Sequence, residues 1–463
     1  MPNQSSPFEY VIGIVGHPTT PDIGWTNEQL SQLKDIGITT LQLSIAWASR
    51  PAEEVLNLEH LDDPVNAKEW RRRIAQAQKF GFRTLAHFGI PVGPQEDRTT
   101  CILDPKVLNN YAVRLRSFFK TFPEVDDVLV YTYDQHAWLC SEFGECPRCH
   151  GIPLHERVVP FLEGLVDAVQ EGKPGARFWW EPWELSAGQT LAVTEQIRPN
   201  HFGLILHHTI AEVQFVNTTD LWFRNLARLA QQRGIPVIGE GFFGGSGEDV
   251  APLTHVSCPR LVYQQMDALR RVEGVVGIKE YYGLVPGHFS ANIALFRACL
   301  RSPNAPLASL LNPIAAEYGN LAAPLLLEAW EAVAQAMEYF PWDASWLLRR
   351  IFDGTRSGDC HAVTGASWMT PSWQSNRRGF YMVTDEKEQH PWLREDVGLR
   401  ARMASQVFER AAKTLERAQR KATAKQDDIR LQGENMRTAS AISARYGQGL
   451  LDNLHSRKED ISC

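Results

Sequence analysis

Ala176–Glu184 reads ARFWWEPWE, with three tryptophans and two carboxylates at the end of one apolar run. Pro182 has no amide proton to give a sheet ladder and biases the residue before it toward extended backbone, so the strand is expected to stop at Glu181 with a loop beyond it. The same plan recurs along the chain: VLVYTYD closes at Asp134, IPVIGE at Glu240 and VVGIKE at Glu280. A parallel α/β barrel would gather acidic groups from such strand ends over one face.

Working outward, strand-like runs alternate with helix-like runs from Tyr10 to about Leu300. YVIGIVG precedes TNEQLSQLKDIG, in which Thr26 can cap a helix and Gly37 suits its left-handed end. ITTLQLSIAW, FRTLAHFGI, DVLVYTYD, ARFWWE, FGLILHH with AEVQFV, IPVIGE and VVGIKE follow, separated by amphipathic stretches. That makes eight strand–helix repeats whose strands are near-continuous apolar runs, which favours a closed parallel barrel over an open sheet. GIVGHP after the first run departs from the glycine-rich phosphate loop of doubly wound folds, which argues against such a sheet, and no organic cofactor is expected.

Beyond Pro303 the strand pattern ends. Ala305–Phe340 and Asp396–Leu454 have helical spacing, and an irregular tryptophan-rich segment, 341–392, lies between them. The expected architecture is a (β/α)8 TIM barrel over 1–303, with a cysteine-rich insertion at about 138–153, followed by a mainly helical domain over 304–463.

A chain of 463 residues with a formal net charge of −7 has no global attraction to nucleic acid or anionic membranes, and neither is an expected partner. MPNQSSPFEY lacks a basic segment followed by an apolar one, and no run of about 18 apolar residues occurs, so a soluble cytoplasmic protein is expected. The charged helix Leu399–Lys425 interleaves both signs, which fits a solvated face or a homo-oligomer contact through the C-terminal helices.

Cleavage of a glycosidic bond needs two carboxyl groups, one a proton donor and the other a nucleophile or base. Glu181 and Glu240 are the leading pair, with Asp134, Glu212 and Glu280 as alternates. The competing reading makes any one of them the buried partner of Arg177, Lys279 or His208. Sugar faces stack on aromatic rings and sugar hydroxyls seek polar side chains. Trp25, Trp47, His87, Gln135, Trp183, His207, His208, Tyr281 and Tyr282 fall at or near strand ends and are candidate substrate contacts, whereas Trp222 and Trp330 sit in helical patterns and are expected to pack. The glycine-rich stretch Gly239–Asp249 reads equally as a lid or as a plain loop.

IPVIGEGFF resembles the nucleophile segment on the seventh strand of barrel glycoside hydrolases. The tryptophan-rich FPWDASWLLRR is similar to segments in the C-terminal helical domains of exo-acting glycosidases. The resemblance implies an exo-acting hydrolase with a carbohydrate as its partner, and the expected cytoplasmic address suggests small oligosaccharides or glycosides. The chain departs from the family pattern at the fourth strand, where Asp134-Gln135 stands in place of the usual Asn-Glu. Two alternatives share the barrel: a metal-dependent sugar isomerase or epimerase built on Glu181, Glu212, Glu240 and Glu280 with His207 or His208, and a carbohydrate-binding barrel without catalysis.

Cys140-x5-Cys146-Pro-Arg-Cys149-His150-Gly151 resembles a zinc knuckle. Cys140, Cys146, Cys149 and His150 are the candidate ligands of a structural zinc, with His155, Cys101 and Cys258 competing with His150 for the fourth place.

Overall fold

A computed structural model describes residues 7–15, 25–44, 63–90, 101–132, 140, 145–182, 185, 187–207, 216, 218–245, 253, 255–280, 290–341 and 391–460. Eight parallel strands close into a barrel in chain order: β1 (Tyr10–Val15), β2 (Thr40–Ser44), β3 (Arg83–Ile90), β4 (Asp127–Thr132), β5 (Phe178–Pro182), β6 (Phe202–His207), β7 (Val237–Gly241) and β8 (Val275–Glu280). The shell helices are α1 (Asn27–Ile36), α2 (Pro64–Lys79), α3 (Pro105–Thr121), α4 (Leu154–Gly172), α5 (Ala187–Gln196), α6 (Leu221–Gln232), α7 (Pro259–Arg270) and α8 (Ala291–Arg301). The strand–helix alternation expected from the sequence is therefore the observed one.

Local chemistry fixes the helix starts. Thr26 forms a reciprocal capping box with Gln29, and Gly37 ends α1 in the left-handed region at φ 109°. Asp63 and Asp104 cap α2 and α3, each followed by a proline at the first helical position. Past the barrel come α9 (Leu307–Ala316), α10 (Ala323–Tyr339), α11 (Pro391–Lys421) and α12 (Gln426–Asp460). Trp330 is buried there, donating from Nε1 to Gln432 at 2.9 Å and meeting Tyr318 edge-on, so it packs as its helical setting implied. Arg260 on α7 ties this region to the barrel through Glu331 and Glu338 on α10. Among the described residues no helix is long and apolar enough to cross a membrane.

The strands are apolar on both faces because each face meets a different core. Outward residues such as Val11, Leu41, Val128 and Phe178 pack under the helices. Inward, Tyr10, Ile12, Leu85, Leu129, Trp179, Ile205 and Ile238 fill the barrel. Two large rings, Tyr10 and Trp179, meet edge-on at 5.1 Å and are each matched by a glycine in register on the next strand. Trp179 pairs with Gly203, where an added Cβ would come within 2.5 Å of the indole, and Tyr10 pairs with Gly277.

Below this layer, Arg83 lies over the Tyr10 ring and Arg177 over the Trp179 ring. Asp127 joins them, accepting from Arg83 at 2.9 Å and from the backbone N–H of Arg177 at 2.8 Å. Arg177 is thus occupied at the N-terminal end of the barrel, away from the acidic strand ends. Because Gly203 makes room for Trp179, Gly203→Ala should overpack the interior and lower stability by about 1–3 kcal/mol. Urea unfolding of the two proteins checks this, and an unchanged midpoint would show that the floor can repack.

Candidate active site

Side chains on one face of a strand recur every second residue. Two residues beyond the inward Leu85, Leu129, Trp179, Ile205 and Ile238 stand His87, Tyr131, Glu181, His207 and Glu240, so a polar layer lies directly above the apolar one. Gln42 is also buried, in register with Leu85. β8 joins this layer through an irregularity. Val237 pairs with Val275 but Ile238 pairs with Gly277, and the extra residue puts Lys279 opposite Glu240.

Lys279 is the hub. Its Nζ lies 2.7 Å from Glu181 Oε2 and 2.5 Å from Glu240 Oε1, with all three side chains at most 4% exposed. Laid end to end, those distances reach only 5.2 Å, which bounds the gap between the two oxygens. The other oxygen of Glu240 lies 2.9 Å from His207 Nδ1, on the neighbouring strand in direct register.

The two carboxyls have opposite proton affinities. Burial, and then the negative charge of Glu240, push Glu181 up to about 7 despite Lys279 and His207. Burial acts the same way on Glu240, but the charges and hydrogen bonds of Lys279 and His207 outweigh it and hold Glu240 at about 2. Burial would also strip the proton from Lys279, and the two carboxylates keep it there. Near neutral pH the centre therefore holds one ionised carboxylate, one carboxyl close to its midpoint and one ammonium.

Glu181, Glu240 and His207, singled out in the sequence, are brought together. His87 joins their layer, buried and edge-on to Tyr131 at 5.9 Å. Three expectations change. Glu280 pairs with Gly241 one position past the Glu240–Lys279 level, and its Oε2 accepts from the backbone N–H of Phe243 at 2.6 Å and of Gly244 at 3.0 Å. It is an anchor for the chain leaving β7. The described part of the glycine-rich stretch, Gly239–Gly245, is buried, and its last carbonyl accepts from Val256 N at 2.7 Å. Trp25 is 2% exposed in the shell core with Arg73 over its ring, so it packs rather than offering a sugar platform. His150 is exposed, and the sulfur of Cys101 completes the group formed by Cys140, Cys146 and Cys149. Asp134, Glu212, Trp47, Gln135, Trp183, His208, Tyr281 and Tyr282 lie outside the described residues, as do Ser246–Asp249.

Sequence reasoning gave Lys279 only the part of a bland partner and passed over Gln42 and Tyr131. A lysine inside an apolar strand was the available signal, since a buried ammonium requires a counter-charge.

No protein-family model and no curated protein matches the sequence. Among solved structures the chain is similar to a GH138 enzyme targeting pectin rhamnogalacturonan II, with a TM-score of 0.63 and 11% identity over 96% of this chain. The match spans 58% of that enzyme's length. It is also similar to a mutant of the Thermobaculum terrenum O-GlcNAc hydrolase, with a TM-score of 0.52 and 13% identity over 98% of each chain. At these identities the likeness is one of fold: a TIM barrel of the kind used by glycoside hydrolases, followed by further helices.

The shifted carboxyls make stability depend on pH in opposite senses. Glu240, depressed from 4.5 to about 2, stabilises the fold above its unfolded value, and that contribution is lost as pH falls toward 2. Glu181, raised from 4.5 to about 7, binds its proton more tightly folded than unfolded, so its contribution is lost as pH rises from 4.5 through 7. Glu181→Gln should therefore flatten the decline in unfolding free energy between about pH 5 and 8. Urea melts across that range test it; an unaltered slope would assign the titration to another group.

Proposed function

We propose that the protein is a retaining glycoside hydrolase that removes a terminal sugar, with Glu181 as the proton donor and Glu240 as the nucleophile. One observation carries the reading: two buried carboxyls within 5.2 Å of each other, one pushed up to about 7 and the other held at about 2. Retaining enzymes keep their carboxyl pair about 5–5.5 Å apart, whereas inverting ones need about 6.5–9.5 Å to admit a water. Split proton affinities in neighbouring carboxyls mark an acid and its anionic partner.

In this mechanism the Glu181 proton passes to the glycosidic oxygen as the bond to the leaving group breaks, and Glu240 attacks the anomeric carbon to form a glycosyl ester. Glu181, now a carboxylate, takes a proton from the water that hydrolyses the ester and is thereby reset. Lys279 and His207 fix the orientation of Glu240 and keep it ionised. The pair sits one residue short of the ends of β5 and β7, and exo action is proposed from the resemblance of the tryptophan-rich segment to exo-acting glycosidases. Trp47, Trp183, His208, Tyr281 and Tyr282 follow β2, β5, β6 and β8 closely in sequence and are proposed as the rim that holds the sugar.

In the isomerase reading a divalent ion would replace the Lys279 ammonium that now contacts both Glu181 and Glu240, and the two readings separate on metal dependence. Wild type should turn over at least one member of a panel of nitrophenyl glycosides, and Glu181→Gln and Glu240→Gln should each lower kcat by roughly 10²–10⁴-fold. The kcat/KM of wild type should fall as pH rises through about 7, where Glu181 loses the proton it donates. With Glu240→Gly, added azide should yield a glycosyl azide of inverted anomeric configuration. Sugar binding without turnover would favour a binding barrel, and activity that needs an added divalent ion would favour the isomerase.

A further inference from the structure

A second centre lies away from the carboxylates. The sulfur atoms of Cys101, Cys140, Cys146 and Cys149 all fall within 4.8 Å of one another. Cys101 lies in the connection from β3 to α3, and the other three lie in the connection from β4 to α4, so two rim segments meet there. Cys101 Sγ is 3.5 Å from Cys149 Sγ and 3.8 Å from Cys146 Sγ, and these cysteines form no disulfide. A disulfide would need about 2.05 Å. Four sulfurs each about 2.3 Å from a central zinc would stand about 3.8 Å apart along the edges of a tetrahedron. The backbone is shaped to match: the N–H groups of Cys149 and His150 both donate to the Cys146 carbonyl, at 3.0 and 2.9 Å, and Gly151 turns the chain away at φ 75°.

An independent observation concerns charge. Arg157 on α4 is 2% exposed, donates from Nη1 to the Cys140 carbonyl at 2.7 Å, and places its guanidinium beside the Cys149 thiol. Among the described residues no carboxylate pairs with it, and its buried Nε has no hydrogen-bond partner. A buried guanidinium is costly without a counter-charge. A divalent ion held by four thiolates carries a net charge of −2 and would provide it.

We propose that Cys101, Cys140, Cys146 and Cys149 bind one zinc ion, with Arg157 as the buried counter-charge of the tetrathiolate. Binding converts the thiols to thiolates and releases their protons to solvent. With all four positions taken by sulfur the site is structural. It clips the connection after β3 to the one after β4, beside the strands that carry His87 and Tyr131. The proposal stands apart from the glycosidase reading and can fail without it.

The full-length protein, purified under reducing conditions without chelator, should contain one zinc per chain by elemental analysis. A mercurial should release that zinc in step with modification of four thiols. Cobalt exchanged into the site should show a sulfur-to-cobalt charge-transfer band with the visible bands of a tetrahedral centre. Cys101→Ser should lose metal to a chelator that wild type withstands, His150→Ala should retain it, and Arg157→Met should weaken retention by roughly 10–100-fold. Zinc-free protein, two disulfides among these cysteines, or equal retention in Cys101→Ser would each overturn the proposal. Should Cys101→Ser fail to fold, the wild-type thiol stoichiometry and cobalt spectrum still decide between four sulfur ligands and three.

Discussion

The ammonium of Lys279, shared between Glu181 and Glu240, is the interaction on which the centre depends. Two carboxylates no more than 5.2 Å apart in a partly screened interior repel by about 3 kcal/mol at an effective dielectric near 20. Burial adds a desolvation penalty to each. A single cation between them offsets much of the first and part of the second, but not equally. Glu240 also has His207 on its second oxygen and ionises readily, while Glu181, bonded to Lys279 but not to His207, faces the charge of Glu240. The asymmetry between the two carboxyls thus follows from Glu240 having a second partner in His207.

That arrangement needs the barrel beneath it. Tyr10 and Trp179, each matched to a glycine, make the floor dry and dense, and Arg83, Arg177 and Asp127 hold the N-terminal end beneath it. A buried ion pair is not in itself a source of stability, since well-packed apolar groups usually serve better. The triad is therefore a load on the scaffold, one that a large continuous core can carry and that a small domain could not.

The fold was legible because period and punctuation are local. Apolar runs ending at Pro182, Glu240 and Glu280, capped helices such as that after Thr26, and the absence of a phosphate loop are all readable within a few residues. The leading carboxylates were legible for the same reason. What was hidden is parity. In a parallel barrel both strand faces are apolar, so no alternation tells inward from outward, and one extra residue near Val275 puts Lys279 rather than Glu280 opposite Glu240. Cys101 stood among the candidates for the fourth place but could not be chosen from sequence: it lies 39 positions before Cys140 and meets the other cysteines only because β3 and β4 are neighbours. Trp25 misled because a tryptophan next to a helix start reads alike whether it faces a cleft or the shell.

The displaced Glu280 connects these points. Turned away from the interior, its carboxylate takes two backbone donors from Phe243 and Gly244 and so fixes the chain just past Glu240. The same register that sends Lys279 inward thus sends Glu280 to hold the loop beside it. A loop pinned there cannot swing to relax the Glu240–Lys279 contact, which leaves the carboxylate oriented before any ligand arrives. Orientation established during folding need not be supplied by binding energy, and transition-state stabilisation of the electrostatic kind depends on groups that do not reorganise as charge develops. One bulge in β8 therefore sets the position of the cation, the orientation of the anion and the rigidity of the neighbouring wall together.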